Sequence, residues 1–282
     1  MDGFSIVQKT ITKAFTFTGI GIHSGKEVSA TVSPAPEDSG ILFTRLDLIS
    51  NNKIIVKPEN IRSFYLGSCL AANNEARIIT LEHFMAALSA FGITNLTIDM
   101  TGEEMPILDG SASGYIDLFN KVGIVSQTKQ IAAIVLDREV WVTHNDGHLV
   151  YLPADNFEIS YFVDYGDPMI GKQQYSYCHS KDAFMREIMN ARTFGFFKDV
   201  EAMWSRGLAL GGSFDNALVV YEDHYSSELR YPDEPVKHKI LDLVGDLYLL
   251  GRPMNGHIIA IKSSHALNGK FAQCISDAYN LN

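Results

Sequence analysis

The 282-residue sequence is poor in cysteine: Cys69, Cys178 and Cys274 form no CxxC pair and make an odd count. That excludes a disulfide framework and a cysteine-built zinc cage. Positive charge is also scarce, with 23 Lys and Arg against 33 Asp and Glu and a net charge of −10. A basic nucleic-acid face and a polybasic membrane anchor are therefore not expected. No segment approaches the ~20 consecutive apolar residues that span a bilayer. The start, "MDGFSIVQKTITKAF", lacks the charged start, apolar run and small-residue site of a signal peptide. A cytoplasmic monomer without stable membrane insertion is the expectation. Finally, there is no HExxH, no GxxxxGK[ST] and no strand-linked GxGxxG, so the common metalloprotease, nucleotide-hydrolysing and dinucleotide-binding signatures are missing. "TGIGIHSG" has a phosphate loop's glycine density in the wrong order, and reads as a hairpin.

What is there is a globular composition, 46% hydrophobic and 20% charged, long enough for two domains. "KAFTFTGIGIH" and "EVSATVSPAPEDSG" alternate like strands. "ARIITLEHFMAALSAFG" starts as a strand and becomes a helix, with Leu81, Phe84, Met85, Leu88 and Phe91 at three-four spacing and Gly92 as its stop. "ITNLTIDM" is a strand, and "DGSASGYIDLFNKVGI" a turn and a helix. After about residue 125 the pattern begins again. "QIAAIVLDREVWVTHNDGHLVYLP" is a strand pair about an Asn-Asp-Gly turn, "FEISYFVDY" a strand, and "SKDAFMREIMNART" a helix with Ser180 as N-cap. "NALVVY" is a strand, "PVKHKILDLVGDLYLLG" a long helix ending at Gly251, and "GHIIAIKSSHALNGKFAQCIS" a strand, turn and helix. The expected fold class is α+β: two similar domains, residues 1–125 and 126–282, each a mainly antiparallel sheet with a pair of helices.

The chemistry-bearing residues sit in these helices and turns. In "VKHKILDLVGD", His238, Asp242 and Asp246 fall on one stripe at four-residue spacing, opposite Ile240, Leu241, Val244 and Leu247. The stripe is either the wet side of an amphipathic helix or a row of ligands. His238 and Asp242 at i and i+4 can converge on one ion, and both offer zinc donors. With His83 they make three protein ligands and leave a fourth position open, the arrangement of a catalytic zinc. Glu82 beside His83 is either first-turn helix chemistry or a general base. His265, after a strand in "AIKSSHALNG", is either an ordinary histidine or a cation opposite the metal, with Asp246 as its carboxylate partner.

The segments "TLEHFMAAL", "PILDGSASGYIDLF", "ARTFGFFKDVEAMWSRGLALGGSFDNALVV", "LRYPDEPVKHKILDLVGDL" and "KSSHALN" together resemble the motif blocks of the UDP-3-O-acyl-N-acetylglucosamine deacetylases, zinc enzymes of lipid A synthesis in Gram-negative bacteria. The likeness runs in order from about Gly19 to Lys270. It implies that the helices are sandwiched between the sheets. It also implies one catalytic zinc, or ferrous iron in the cell, on His83, His238 and Asp242. Glu82 would be the base, His265 the catalytic histidine with Asp246 behind it, and Thr193 the oxyanion donor. Lys239 and Lys262 would meet the headgroup and diphosphate, and Tyr165 the uracil. Phe194 would line the glucosamine and acyl region. The insert at about 195–220, with Met203, Trp204 and Phe214, would form an apolar passage for the fatty-acyl chain. Trp204 stands where many relatives carry a polar residue, and the resemblance gives His23 no role. The implied reaction is hydrolysis of the N-acetyl amide of a UDP-linked acylated amino sugar. The competing readings are a zinc amidase for another acylated sugar and a non-catalytic acyl or nucleotide carrier.

Overall fold

The computed structural model describes residues 4–50, 52–62, 66–73 and 75–279. Among them, two five-stranded sheets follow one plan. The first runs, edge to edge, Phe15–Ile20, Glu27–Pro34, Leu96–Met100, Ile41–Arg45, Lys53–Ile55. The second runs Val140–His144, Gly147–Leu152, Gly256–Ile261, Phe157–Asp164, Lys172–Cys178. Numbered by position in the chain, both read 1-2-5-3-4. In each, the third and fifth strands pair in parallel and the other neighbours are antiparallel. Period-two burial selects the inner face: Val28, Ala30 and Val32 in one sheet, Ile159, Tyr161 and Val163 in the other.

Six α-helices are described: α1 (Glu82–Phe91), α2 (Ser113–Val122), α3 (Lys181–Ala183), α4 (Val200–Ser205), α5 (Glu234–Tyr248) and α6 (His265–Tyr279). Aromatic contacts tie α1 and α2 to the first sheet: Phe84 meets Phe43 at 6.3 Å and Tyr115 meets Phe17 at 5.7 Å between ring centroids. α5 packs on the second sheet through Phe157–Asp164 and Lys172–Cys178, and α6 through Val140–His144 and Gly147–Leu152. α1 and α5 then face each other in the middle, giving the expected order of sheet, helices, helices, sheet. Nearly every residue of both is buried, as the middle of four layers requires. A Cβ on Gly245 would lie 2.0 Å from the Glu82 carbonyl oxygen, so only glycine lets α5 cross the start of α1 this closely.

Strand Ser5–Ile11 pairs antiparallel with Ile124–Ala132, so the segment that follows α2 is bound back to the beginning of the described chain. The Asn-Asp-Gly hairpin forms as read, from Val140–His144 to Gly147–Leu152. Gly92 closes α1 in the left-handed conformation at φ 67°. The "SKDAFMREIMN" segment differs from an ordinary helix: after α3 it widens into one π turn, Phe184–Ile188, closed by Met189 N to Phe184 O. With more than four residues per turn, Phe184 and Ile188 both point into the core. No helix of the described residues is long and apolar enough to cross a membrane. All three cysteines are free.

Candidate active site

The stripe of α5 is not a wet face. His238, Asp242 and Asp246 are each at most 3% exposed and point at the start of α1. Asp242 Oδ1 lies 3.2 Å from His238 Nε2 and 3.6 Å from His83 Nε2, and the two imidazoles meet edge to face at 5.0 Å. His238 Nδ1 donates to the Ala191 carbonyl at 3.0 Å, which fixes the tautomer and leaves a lone pair on Nε2. Burial pushes this histidine down to about 4, against the pull of Asp242, so the ring is neutral at pH 7. Two acceptors, Nε2 and Oδ1, therefore face each other in a buried space, and Oδ1 has no hydrogen-bond donor. A divalent cation bound by two imidazole nitrogens and one carboxylate oxygen relieves that repulsion. The donor set fits a metal. The second oxygen, Asp242 Oδ2, accepts from Lys239 Nζ at 2.7 Å. The carboxyl is held well below the usual range despite burial, because His238, Lys239 and His265 surround it.

Glu82 opens α1 beside this cluster. Its Oε2 accepts from Ser68 Oγ at 2.6 Å and Ser68 N at 3.1 Å, leaving Oε1 turned to His265 Nε2 at 3.6 Å. Burial alone would raise its pKa, but His265 and His83 outweigh that and hold it below the usual glutamate range. His265, the first residue of α6, has Nδ1 2.8 Å from Asp246 Oδ2, an oxygen that Asn268 Nδ2 also bonds at 2.7 Å. Its Nε2 is 3.7 Å from Asp242 Oδ2. Burial would push this imidazole down, yet the carboxylates of Asp246, Glu82 and Asp242 raise it to about 9. One histidine in this cluster is neutral and another charged, and the difference lies in how many carboxylates each faces.

Thr193 reaches the site through a clamp between the two halves. Its N donates to the Gly110 carbonyl at 2.6 Å, and its own carbonyl accepts from Leu218 N at 2.8 Å. The preceding Arg192 is buried against Glu234, the first residue of α5, with Nε to Oε1 at 2.8 Å. The start of α5 therefore also sets the position of Thr193.

A cavity of about 390 Å³ lies against these groups. Glu82, His83 and Thr193 line it together with Phe194, Met203, Trp204 and Phe214. Ile22 and His23 from the first hairpin complete a wall, which gives His23 a place. Lys239, Lys262 and Tyr165 lie outside the lining. Lys262 Nζ is 3.3 Å from Asp146 and 3.6 Å from Asp164. Tyr165 packs edge-on against Phe194, with centroids 5.6 Å apart. Sequence reading missed Ser68 and Glu104. Ser68 meets Glu82 across the strand pair Cys69–Ala71 and Arg77–Ile79, a separation of 14 residues that leaves no periodic signal.

The chain matches the family model described as LpxC: UDP-3-O-acyl N-acetylglycosamine deacetylase over residues 8–277. Curated relatives carrying the name UDP-3-O-acyl-N-acetylglucosamine deacetylase agree. The protein from Idiomarina loihiensis is 41% identical over 274 residues, 96% of this chain and 90% of its own length. Those from Leptospira biflexa and Thioalkalivibrio sulfidiphilus are each 39% identical, over 271 and 274 residues, with the same two coverages. Sequence blocks, site geometry and these matches converge: the chain belongs to the UDP-3-O-acyl-N-acetylglycosamine deacetylase family along nearly its whole length.

Proposed function

We propose that this protein hydrolyses the N-acetyl amide of UDP-3-O-acyl-N-acetylglucosamine, releasing acetate and the free amine, as a monomer in the cytoplasm. The observation that carries the reading is the buried, donorless Asp242 Oδ1 between the Nε2 atoms of His238 and His83, beside a carboxylate–histidine pair and an apolar cavity. The division of labour follows the division of the chain. Residues 1–125 bring Glu82 and His83, and residues 126–282 bring His238, Asp242, Asp246, His265 and Thr193. Zinc, or ferrous iron on the same donors, supplies Lewis acidity toward the acetyl carbonyl and a water with its pKa lowered toward ~7.

The chain's own groups do the rest. Glu82 Oε1, its partner oxygen anchored by Ser68, accepts the proton of the attacking water. The Thr193 hydroxyl donates to the oxygen that gains negative charge. His265, kept charged by Asp246, faces the site from the other side and protonates the sugar nitrogen as the C–N bond breaks. The net change is addition of one water across the amide. The acyl chain lies along Met203, Trp204 and Phe214, where each buried methylene contributes ~0.8 kcal/mol. Lys239 and Lys262 serve the headgroup and diphosphate end, and Tyr165 with Phe194 the rings there. The test is turnover of a UDP-3-O-acyl-GlcNAc substrate before and after chelation, with zinc or iron restored. Full activity in protein shown to be metal-free would refute the reading.

A further inference from the structure

Glu104 is a buried acid, 1% exposed, whose hydrogen-bonding partners are all neutral. Its Oε1 accepts from His23 N at 2.7 Å and Thr80 Oγ1 at 3.2 Å, and its Oε2 from Ser24 N at 2.8 Å. Among the described residues no Lys, Arg or His side chain lies within ion-pair range of it. Burying a carboxyl group without a cation is costly, so the position calls for a role. The two main-chain bonds hold the turn 21–25, itself closed by Gly25 N to Gly21 O at 3.0 Å. The opposite edge of that turn receives the insert. Leu210 N donates to His23 O at 3.1 Å, Gly211 N to Ile22 O at 3.0 Å, and Ala209 N to His23 Nδ1 at 3.4 Å. A Cβ on Gly211 would lie 2.3 Å from the Gly21 carbonyl oxygen, so the two segments touch backbone to backbone.

The turn is thus gripped between Glu104 and the insert, and both gripped segments line the cavity: Ile22 and His23 on one side, Ala209 and Trp204 on the other. The Trp204 indole N–H donates to Ala209 O at 3.3 Å, carrying the grip into the apolar wall. We propose that Glu104 is a positioning residue that fixes this wall and thereby sets the length of acyl chain the cavity discriminates. The proposal rests on the reading of the cavity as the acyl site. Its logic is separable from catalysis. A displaced wall affects a chain that reaches it and leaves a short chain untouched. A disturbance passed through Thr80 to Glu82, two residues on, would affect every substrate equally.

The experiment measures kcat/KM for a series of UDP-GlcNAc substrates carrying short, medium and long 3-O-acyl groups, in the wild type, Glu104→Ala and Glu104→Gln. Unpairing the two N–H groups is expected to lower kcat/KM roughly 10–100-fold for the long chain and to leave the short-chain value nearly unchanged. Glu104→Gln keeps one acceptor and falls between. Gly211→Ala attacks the same contact from the insert and gives the same length-selective pattern, even where Glu104→Ala does not fold. Bound metal and thermal midpoint identify the folded variants. Equal losses at all lengths, or none, in the folded variants overturn the proposal. A wild type that turns over no member of the series overturns the deacetylase reading, and this proposal with it.

Discussion

The two halves share a sheet order and a helix before the fifth strand, yet they load that shared scaffold differently. In the first half, α1 carries its titratable groups in the first turn, as Glu82 and His83. In the second, α5 spreads His238, Asp242 and Asp246 over three turns of one side. The larger contrast lies in what each half inserts between its fourth strand and that helix. The first half makes a small sheet, Ile61–Arg62, Cys69–Ala71 and Arg77–Ile79, beside which Ser68 orients Glu82. The second makes a longer excursion with α3, α4 and the parallel pair Phe194–Phe196 and Leu218–Val220, which places Thr193 and builds the apolar wall. The repeated frame brings Glu82, His83, His238 and Asp242 together through α1 and α5, and the inserted segments add Ser68, Thr193 and the apolar wall around them.

The sharpest way to break this comparison is to remove one acid from each helix. Asp242→Ala takes a donor from α5; bound metal should be lost and turnover should fall to background, read by metal analysis beside the assay. Glu82→Gln takes the proposed base from α1; metal content should stay at the wild-type level while kcat drops roughly 10²–10⁴-fold. Loss of metal from the Glu82 variant would show that the first half supplies two ligands and no base. A smaller effect concerns charge. His265 rises to about 9 in the fold, against ~6.5 in an unfolded chain. Its contribution to stability is therefore complete below ~6.5 and lost as pH rises through about 9. Chelated, metal-free protein should show a thermal midpoint that falls between pH 7 and 9.5. Asp246→Asn, which removes the closest carboxylate, should flatten that fall. An equally steep fall in the variant would place the charged group elsewhere.

Much of the fold was readable because it follows local periodicities. Strand alternation gave the two sheets, three-four spacing gave α1 and α5, and Gly92 marked the stop of α1. The candidate cluster was readable where its residues share a helix, as His238 and Asp242 do, or stand adjacent, as Glu82 and His83 do. Excluding a wet face needed information from outside α5: only packing against α1 shows that the stripe is buried. Ser68 and Glu104 act through single long-range hydrogen bonds to side chain or backbone, and such bonds leave no pattern in sequence. The π turn after α3 was hidden for a related reason, since its residues are ordinary helix formers and tertiary burial of Phe184 and Ile188 sets the wider turn.

The contact between the helices offers a test in stability units. Gly245→Ala places a methyl group 2.0 Å from the Glu82 carbonyl oxygen, and α5 must move away from α1 to admit it. Overpacking of this kind costs ~1–3 kcal/mol, measurable by denaturant unfolding. Because the displaced backbone belongs to Glu82, the proposed base, kcat should fall as well. A stable variant with unchanged turnover would mean that the two halves tolerate a wider spacing than the close crossing implies.

The smallest expected effect separates scaffold from site within the second half. α1 and α5, which carry most of the proposed site residues, start without a side-chain cap, at Leu81 and Asp233. Their ends are held by packing and by the polar groups of the site. α3, which carries none of the proposed site residues, is capped: Ser180 Oγ accepts from Ala183 N at 3.1 Å. Ser180→Ala should therefore cost ~1 kcal/mol of stability, the usual worth of such a cap, while kcat and KM stay at wild-type values. The insert's path to Thr193 is fixed downstream, by Arg192 on Glu234 and by Thr193 N on Gly110, so fraying at α3 has no route to the reacting groups. A loss of turnover in this variant, at unchanged metal content, would show that the excursion moves as one piece from α3 to the cavity wall.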